Sequence, residues 1–239
     1  MQLLDLTLPT AAENLALDEA LLESVDDQPG AAELLRVWEC PQWAVVLGRS
    51  GKVAEEVFES RAGDVPILRR TSGGGTVLLG PGCLMYSLRL SYERRPHLRA
   101  LDQAHHEVLT TLAAALNRKL PDANVRPRGT SDLAIGERKF SGNSLRCKRN
   151  FLLYHGTLLY DFDLSRIESL LRPPPRQPEY REERPHRDFV MNLALSAGEL
   201  RQALIAAWQA NEILQDWPRE LTERLLRERY EQPAWNFER

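Results

Sequence analysis

An α+β fold with a mostly antiparallel sheet flanked by helices is predicted by three features of the sequence. Strand-like runs follow one another in two clusters, residues 32–90 and 131–162, instead of alternating regularly with long helices. Amphipathic helical segments stand before, between and after those clusters. The second cluster also contains short polar turns, Gly136-Glu137 and Lys148 to Asn150, of the kind that join neighbouring antiparallel strands. At 239 residues the chain is long enough for one large core.

The stretch "TAAENLALDEALL" carries a capping box, Thr10 with Glu13, ahead of Leu15, Leu21 and Leu22, and is expected to be the helix that opens the fold. "AELLRVWEC" and "QWAVVLG" are strand-like and are broken at Pro41 and Gly48. "VPILRR", "TVLLG" and "CLMYSLRL" continue in the same style. A helix is expected across "ALDQAHHEVLTTLAAALNRKL", with Leu101, Val108, Leu112 and Leu116 on one stripe. A three-stranded meander follows from Ser131 to Phe162. The segment "LRPPPRQPEYREERPHRDF" has five prolines and no period, which makes it a loop and a candidate lid. From Ser196, paired with Glu199 in a second capping box, helices are expected through "ELRQALIAAWQANEIL" and "PRELTERLLRERY".

A formal charge of −3 provides no global field for nucleic acid, so any anion binding must be local. The three cysteines, Cys40, Cys83 and Cys147, stand at no metal-ligand spacing and are too few for a disulfide framework, which suits a reducing compartment and argues against a resident metal. The start lacks a basic leader and turns acidic early, and no apolar run reaches the roughly 18 residues of a membrane span. The reading is of an unprocessed cytoplasmic protein without nucleic-acid or membrane partners.

Chemistry concentrates in "LRRTSGGGTVLLG". Side chains alternate along a strand, so Arg69 and Arg70 point to opposite faces and only one can serve a pocket; the other is structural. Gly73, Gly74 and Gly75 can leave their N–H groups uncovered and so form a concavity for phosphate or carboxylate oxygens. A plain hairpin bend would need fewer glycines. The spacing is neither that of a P-loop nor that of the dinucleotide-binding pattern.

In the meander, a two-residue turn at Gly136-Glu137 sets Lys139 opposite Ala134 and Ser141 opposite Asp132. A three-residue turn at Lys148 to Asn150 sets Asn143 opposite His155 and Ser141 opposite Thr157. Asp132, Lys139, Ser141, Asn143, His155 and Thr157 then share one polar face, and a bulge at Gly142 would shift that register. A solvated sheet face is the plain alternative. It is disfavoured by "FLLYHGTLLY", an apolar run that reads as a strand covered on both sides, where His155 and Thr157 need a reason to be. Lys139 is the sharpest member, a compact mobile cation suited to a phosphate or a developing oxyanion. His105 and His106 are adjacent on a helix and face different directions, and Cys147 lies about 26 Å along the strand from Lys139.

"RRTSGGGTV", "SDLAIGERKFSGNS" and "LLYHGTLLYDFDLS" resemble, in order and spacing, the lipoate-protein ligase family, and the resemblance runs from "ENLALDEALL" to the terminal "WNFER". It implies one catalytic domain over residues 1–239 with the biotin/lipoate ligase-like fold, and activation of lipoate by ATP and Mg²⁺ to lipoyl-adenylate. Transfer to a lysine of a lipoyl carrier protein would follow. By motif position, Lys139 matches the family's invariant lysine, Arg70, Ser72 and Gly73 to Gly75 would bind the carboxyl and phosphate region, and Thr76 and Val77 would lie beside the adenylate. Asp132, Ser141, Asn143, His155, Gly156 and Thr157 would shape the pocket. Three departures stand out. Gly51 occupies a position where the family usually has glutamine, the Pro/Arg-rich loop from Pro173 to Phe189 does not align, and "WNFER" is where two-domain ligases continue into an accessory domain. Two readings of that ending stay open, a separate accessory ligase chain as partner and a compact single-domain ligase. An octanoyl or lipoyl transferase on the same fold is the alternative, but it normally needs a cysteine beside the lysine, and residues 173–193 contain none. A non-catalytic acyl- or adenylate-binding module is the third reading.

Overall fold

The computed structural model describes residues 1–28 and 30–237; Glu238 and Arg239 of the terminal motif lie outside the described residues. In chain order, β1 (Gln2–Asp5) precedes α1 (Ala11–Glu23), β2 (Leu34–Glu39) and β3 (Ala44–Leu47). Two single-turn helices, α2 (Val53–Glu56) and α3 (Glu59–Ala62), lead to β4 (Ile67–Arg69), β5 (Val77–Leu79) and β6 (Cys83–Ser91). Next come α4 (Leu101–Lys119), β7 (Val125–Arg128), β8 (Asp132–Ile135), β9 (Arg138–Cys147) and β10 (Phe151–Leu159). The chain closes with α5 (Ser165–Leu170), α6 (His186–Phe189), α7 (Ala197–Trp208), β11 (Glu212–Ile213), α8 (Arg219–Leu225) and α9 (Pro233–Phe237).

Eight strands form the main sheet in the order β11-β1-β2-β6-β10-β9-β8-β7, and β4-β3-β5 form a second, smaller sheet. Pairing is antiparallel except at β1 with β2, β1 with β11 and β3 with β4, so the α+β expectation is met. The near-continuous apolar runs predict covered central strands, and β6 and β10 are buried at every residue. On one face the even-numbered side chains Leu84, Tyr86, Leu88, Tyr154 and Leu158 pack with Val108, Leu112 and Leu116 of α4 and Leu204 of α7. On the other, Cys83, Met85 and Leu159 meet Leu15 of α1 and the small sheet through Val45, Leu68 and Leu78. The functional cleft lies on this second face.

Both capping boxes form as expected, Thr10 with Glu13 and Ser196 with Glu199. Helix α1 is not amphipathic, because it is enclosed between the sheet and α8. Its buried Asp18 accepts from Arg36 Nη1 at 2.6 Å and from Ser87 Oγ at 2.7 Å, and its buried Glu19 accepts from the Tyr230 hydroxyl at 2.8 Å. Four expectations need correction. A strand, β1, opens the fold ahead of α1. β7 adds a fourth strand to the meander; Pro127 hides it in sequence and is tolerated because β7 is the sheet edge, where one donor is dispensable. α7 stops at Trp208, where Gln209 turns left-handed (φ 49°), and Glu212 and Ile213 pair with β1 instead of continuing a helix. The final helical stretch divides at Leu225, where a wider π-type turn carries Leu226 to Tyr230.

Candidate active site

The glycine loop spans Arg70 to Thr76 between β4 and β5, and its shape is set by side chains that grip its backbone. Arg69 and Arg70 do point oppositely. Arg69 is wholly buried on the far side and donates to the carbonyls of Gly48, Gly51, Trp235 and Asn236, tying the chain's end to the loop's root. Arg70 turns inward. Its Nε donates to Ser72 Oγ at 3.0 Å, Nη1 to the Val46 carbonyl at 3.2 Å, and Nη2 to the carbonyls of Gly73 and, at 2.9 Å, Gly75. Its guanidinium is thus committed largely to holding the loop's carbonyls, which keeps those oxygens from facing an anion. Burial lowers its pKa to about 10, against the pull of Glu56.

Ser72 Oγ lies 2.6 Å from His155 Nε2. Burial, then the neighbouring Arg70, lowers the His155 pKa to about 4, so the ring is neutral. Ser72 Oγ thus links the Arg70 guanidinium, from which it accepts, to the neutral imidazole. The far end of the loop is pinned by Glu56, a buried carboxylate absent from the sequence-based candidates. Glu56 accepts from Thr76 N at 3.0 Å and Thr76 Oγ1 at 2.8 Å, and its other oxygen accepts from Lys52 N at 3.2 Å. Ser144 Oγ donates to the Gly73 carbonyl at 2.9 Å, joining the loop to β9. Gly48 is required by proximity, since a Cβ there would lie 1.9 Å from the Gly74 carbonyl oxygen.

The meander departs from the expected register in two places. The Gly136-Glu137 turn is tight, and Lys139 does oppose Ala134. A bulge then falls at Phe140, not Gly142, so Leu133 opposes Ser141 and Asp132 opposes Gly142. At the other end Lys148 N bonds the Phe151 carbonyl at 2.9 Å, leaving a two-residue turn in place of three, so Ser144 faces His155 and Asn143 faces Gly156. With a period of two, these one-residue shifts rotate Ser141 and Asn143 to the opposite face. There Asn143 Oδ1 accepts from the Tyr86 hydroxyl and its Nδ2 donates to Ser141 Oγ at 3.1 Å and the Ser131 carbonyl at 2.8 Å. The same bulge brings Lys139 and Gly142 onto the cleft face together. Lys139 Nζ lies 2.7 Å from Asp132 Oδ1, and its stem crosses Gly142 so closely that a Cβ there would be 2.8 Å from Nζ.

These elements wall a cavity of about 440 Å³. Arg70, Gly74, Gly75, Thr76, Val77, Asp132, Lys139, His155 and Thr157 line it, as do the β9 and β10 residues Asn143 and Gly156; Ser72, Gly73 and Ser141 stand behind the wall. Part of the lining is a buried apolar cluster, Leu15, Val46, Leu79, Met85, Phe162 and Ile167. The Pro/Arg-rich segment closes over the mouth, with Arg172, Arg176, Pro178, Arg181 and His186 facing the cavity. It is docked to the meander: the Tyr180 hydroxyl donates to Asp132 Oδ2 at 2.8 Å, so one carboxylate holds both the lid and Lys139. Among the described residues no group of three or more His, Cys, Asp or Glu side chains is disposed to hold a metal ion. Likewise, no described helix is long and apolar enough to cross a membrane.

The lipoyl protein ligase A/B catalytic domain family matches residues 10–209. The "Putative lipoate-protein ligase A" of Aeropyrum pernix is 31% identical over 205 residues, covering 85% of this chain and 72% of that protein. The lipoate-protein ligase A of Bdellovibrio bacteriovorus is 30% identical over 189 residues, and the match spans 75% of this chain but only 51% of that protein. Among solved structures, a bi-partite lipoate protein ligase from Thermoplasma acidophilum superposes with a TM-score of 0.85 at 24% identity, covering 99% of this chain and 95% of that one. A lipoate-protein ligase A bound with ATP superposes at 0.77 and 24% identity, covering 99% and 98%. Both share the fold described above.

Proposed function

Because the chain belongs to the lipoyl protein ligase A/B catalytic domain family, we propose that it activates lipoate with ATP and Mg²⁺ to lipoyl-adenylate and passes the lipoyl group to a lysine of a lipoyl carrier protein. The observation that carries this reading is that one cavity is lined both by a buried apolar cluster and by five cationic side chains, Lys139 among them. An acyl chain fits the first and an anhydride with a nucleotide phosphate fits the second. Solved relatives of the same fold have been described with ATP and with lipoic acid bound.

In this mechanism the acyl carboxylate attacks the α-phosphorus and pyrophosphate leaves, with Mg²⁺ arriving on the nucleotide as part of the substrate. The carrier amine then attacks the acyl carbon and AMP is released. Lys139, oriented by Asp132, places one positive charge between carboxylate and α-phosphate in the first step and on the acyl oxygen in the second. The N–H groups of Gly74 and Gly75, on a backbone held by Arg70, Glu56 and Ser144, receive phosphate oxygens without reorganising. Neutral His155 positions Ser72 and is a poor proton acceptor at pH 7. Closure by the Pro/Arg-rich segment keeps water from the anhydride.

A thioester-dependent transferase is the second reading, and the cysteines argue against it. Cys40 and Cys83 are buried, burial raises both thiols, and Cys147 is exposed at the opposite end of β9 from Lys139. The Thermoplasma ligase is described as bi-partite and studied with an E2 lipoyl domain. By analogy, a separate accessory chain is expected to assist adenylation here.

The test is pyrophosphate release from ATP with lipoate, using this chain alone and with a candidate accessory chain, alongside transfer from synthetic lipoyl-adenylate to a carrier domain. Lys139→Ala should abolish both reactions with an unchanged circular dichroism spectrum, and Lys139→Arg should fail too, because a planar fork does not replace a point charge. A carrier lysine modified from an acyl thioester without ATP, with no pyrophosphate under any condition, would overturn the ligase reading.

A further inference from the structure

One cation of the lid is unaccounted for. Arg181 is 4% exposed, yet its only hydrogen bond runs from Nε to the Arg184 carbonyl at 3.0 Å. Its two Nη groups have no hydrogen-bond partner and no carboxylate within 4 Å among the described residues, and the side chain lines the cavity. Four N–H bonds of one guanidinium are thus left open towards the cavity, where an anionic ligand can accept them. By contrast Arg184, its neighbour, is consumed by structure, donating to the carbonyls of Arg181, Tyr180 and Glu137.

The backbone is built to present this side chain. Arg181 ends a single 3-10 turn, and Glu182 and Glu183 both adopt left-handed conformations (φ 51° and 56°), unfavourable for residues with a Cβ. That reversal leaves both glutamates exposed and Arg181 inside, its guanidinium 4.9 Å from the Phe189 ring. The adjacent Tyr180 is anchored on Asp132, the same carboxylate that holds Lys139, so Arg181 belongs to the polar end of the cavity. Five cationic side chains line that cavity against two carboxylates, Glu56 and Asp132, although the whole chain carries a charge of −3. One carboxylate ligand would need a single cation. A surplus of three suits a phosphoryl group with several charges.

On the ligase reading, we propose that Arg181 is a binding residue of the reaction, donating its free Nη groups to phosphoryl oxygens of the bound nucleotide opposite the glycine loop. The lid then does more than exclude water: it completes the phosphate site from the other side.

The experiment compares binding of AMP, adenosine and inorganic pyrophosphate by calorimetry for the wild type, Arg181→Met, Arg181→Lys and Arg187→Ala, the last removing an equal charge from an exposed lid position. Arg181→Met should weaken AMP or pyrophosphate about tenfold to hundredfold and leave adenosine unchanged, as loss of charged hydrogen bonds implies. Arg181→Lys should recover part of the loss and Arg187→Ala should lose less than about threefold. In turnover, the loss should appear in the KM for ATP and not in the KM for lipoate. Equal losses for AMP and adenosine, or equal losses in Arg181→Met and Arg187→Ala, would refute the assignment, as would a defect confined to the KM for lipoate. The two readings fail separately. A wild type that binds pyrophosphate through Arg181 yet makes no adenylate, either alone or with an accessory chain, removes the ligase reading and keeps the anion site; unchanged adenylate formation and pyrophosphate binding by Arg181→Met removes the anion site and keeps the ligase reading.

Discussion

Gly142→Ala separates the position of the reacting lysine from the stability of the fold. The added Cβ would meet Lys139 Nζ at 2.8 Å and Cε at 3.0 Å, so the lysine must move, and no backbone atom stands within 4 Å to obstruct the methyl. The obstacle is the far end of a flexible side chain, so the fold should accommodate it. Alanine also removes the entropic penalty of glycine in a strand, about 0.5–1 kcal/mol, which offsets a weakened Lys139–Asp132 pair of similar worth, about 0–1 kcal/mol at its partial exposure. Net stability should stay within about 1 kcal/mol, a melting shift of about 2–4 °C at most for a chain of this size. Catalysis should not be spared. Moving Nζ by about 1 Å costs about a hundredfold in rate by loss of alignment alone. Thermal unfolding and single-turnover acyl transfer from synthetic lipoyl-adenylate are measured on the same preparation. Full activity with a native melting curve would show that the lysine's resting position across Gly142 is irrelevant to the reaction, and a collapse in stability would show that the site cannot yield as argued.

Three further outcomes follow from the same geometry. The folded His155 pKa of about 4 lies below the ordinary value near 6.5, so the unfolded chain binds the extra proton between those pH values; stability present at pH 7 is lost as pH falls, by about 3 kcal/mol near pH 4, and His155→Gln should flatten that slope in urea titrations. An identical slope in the variant would refute the buried neutral imidazole. Glu56→Ala should cost about 2–4 kcal/mol in urea unfolding, since the Thr76 and Lys52 amides lose their acceptor, and should weaken adenylate binding at least tenfold; wild-type values in both assays would count against Glu56 as the loop's anchor. The combined variant Cys40→Ala, Cys83→Ala, Cys147→Ser should retain ligase activity, whereas complete loss in a folded protein together with a trapped thioester on the wild type would favour transfer chemistry.

Local patterns that depend on neighbours in the chain were legible in the amino-acid sequence. The two capping boxes, the covered strands β6 and β10, the opposed directions of Arg69 and Arg70 and the tight Gly136-Glu137 turn all follow from periods and side-chain chemistry within a few residues. They were enough to place the fold class, the glycine loop and Lys139. Which residues share the cleft was decided elsewhere. The Phe140 bulge and the two-residue turn at Arg149-Asn150 shift the pairing by one position each, and a shift of one reverses a strand's faces, so Ser141 and Asn143 went to the Tyr86 side while Gly142 and Ser144 came forward. Glu56, Tyr180 and Arg181 had no local signal, because each acquires its role from a partner distant in the chain: Thr76 at the loop's end, Asp132 in the meander, or the cavity itself. A buried charge is recognisable only once its surroundings exist, since the same carboxylate or guanidinium on an exposed turn would simply be solvated.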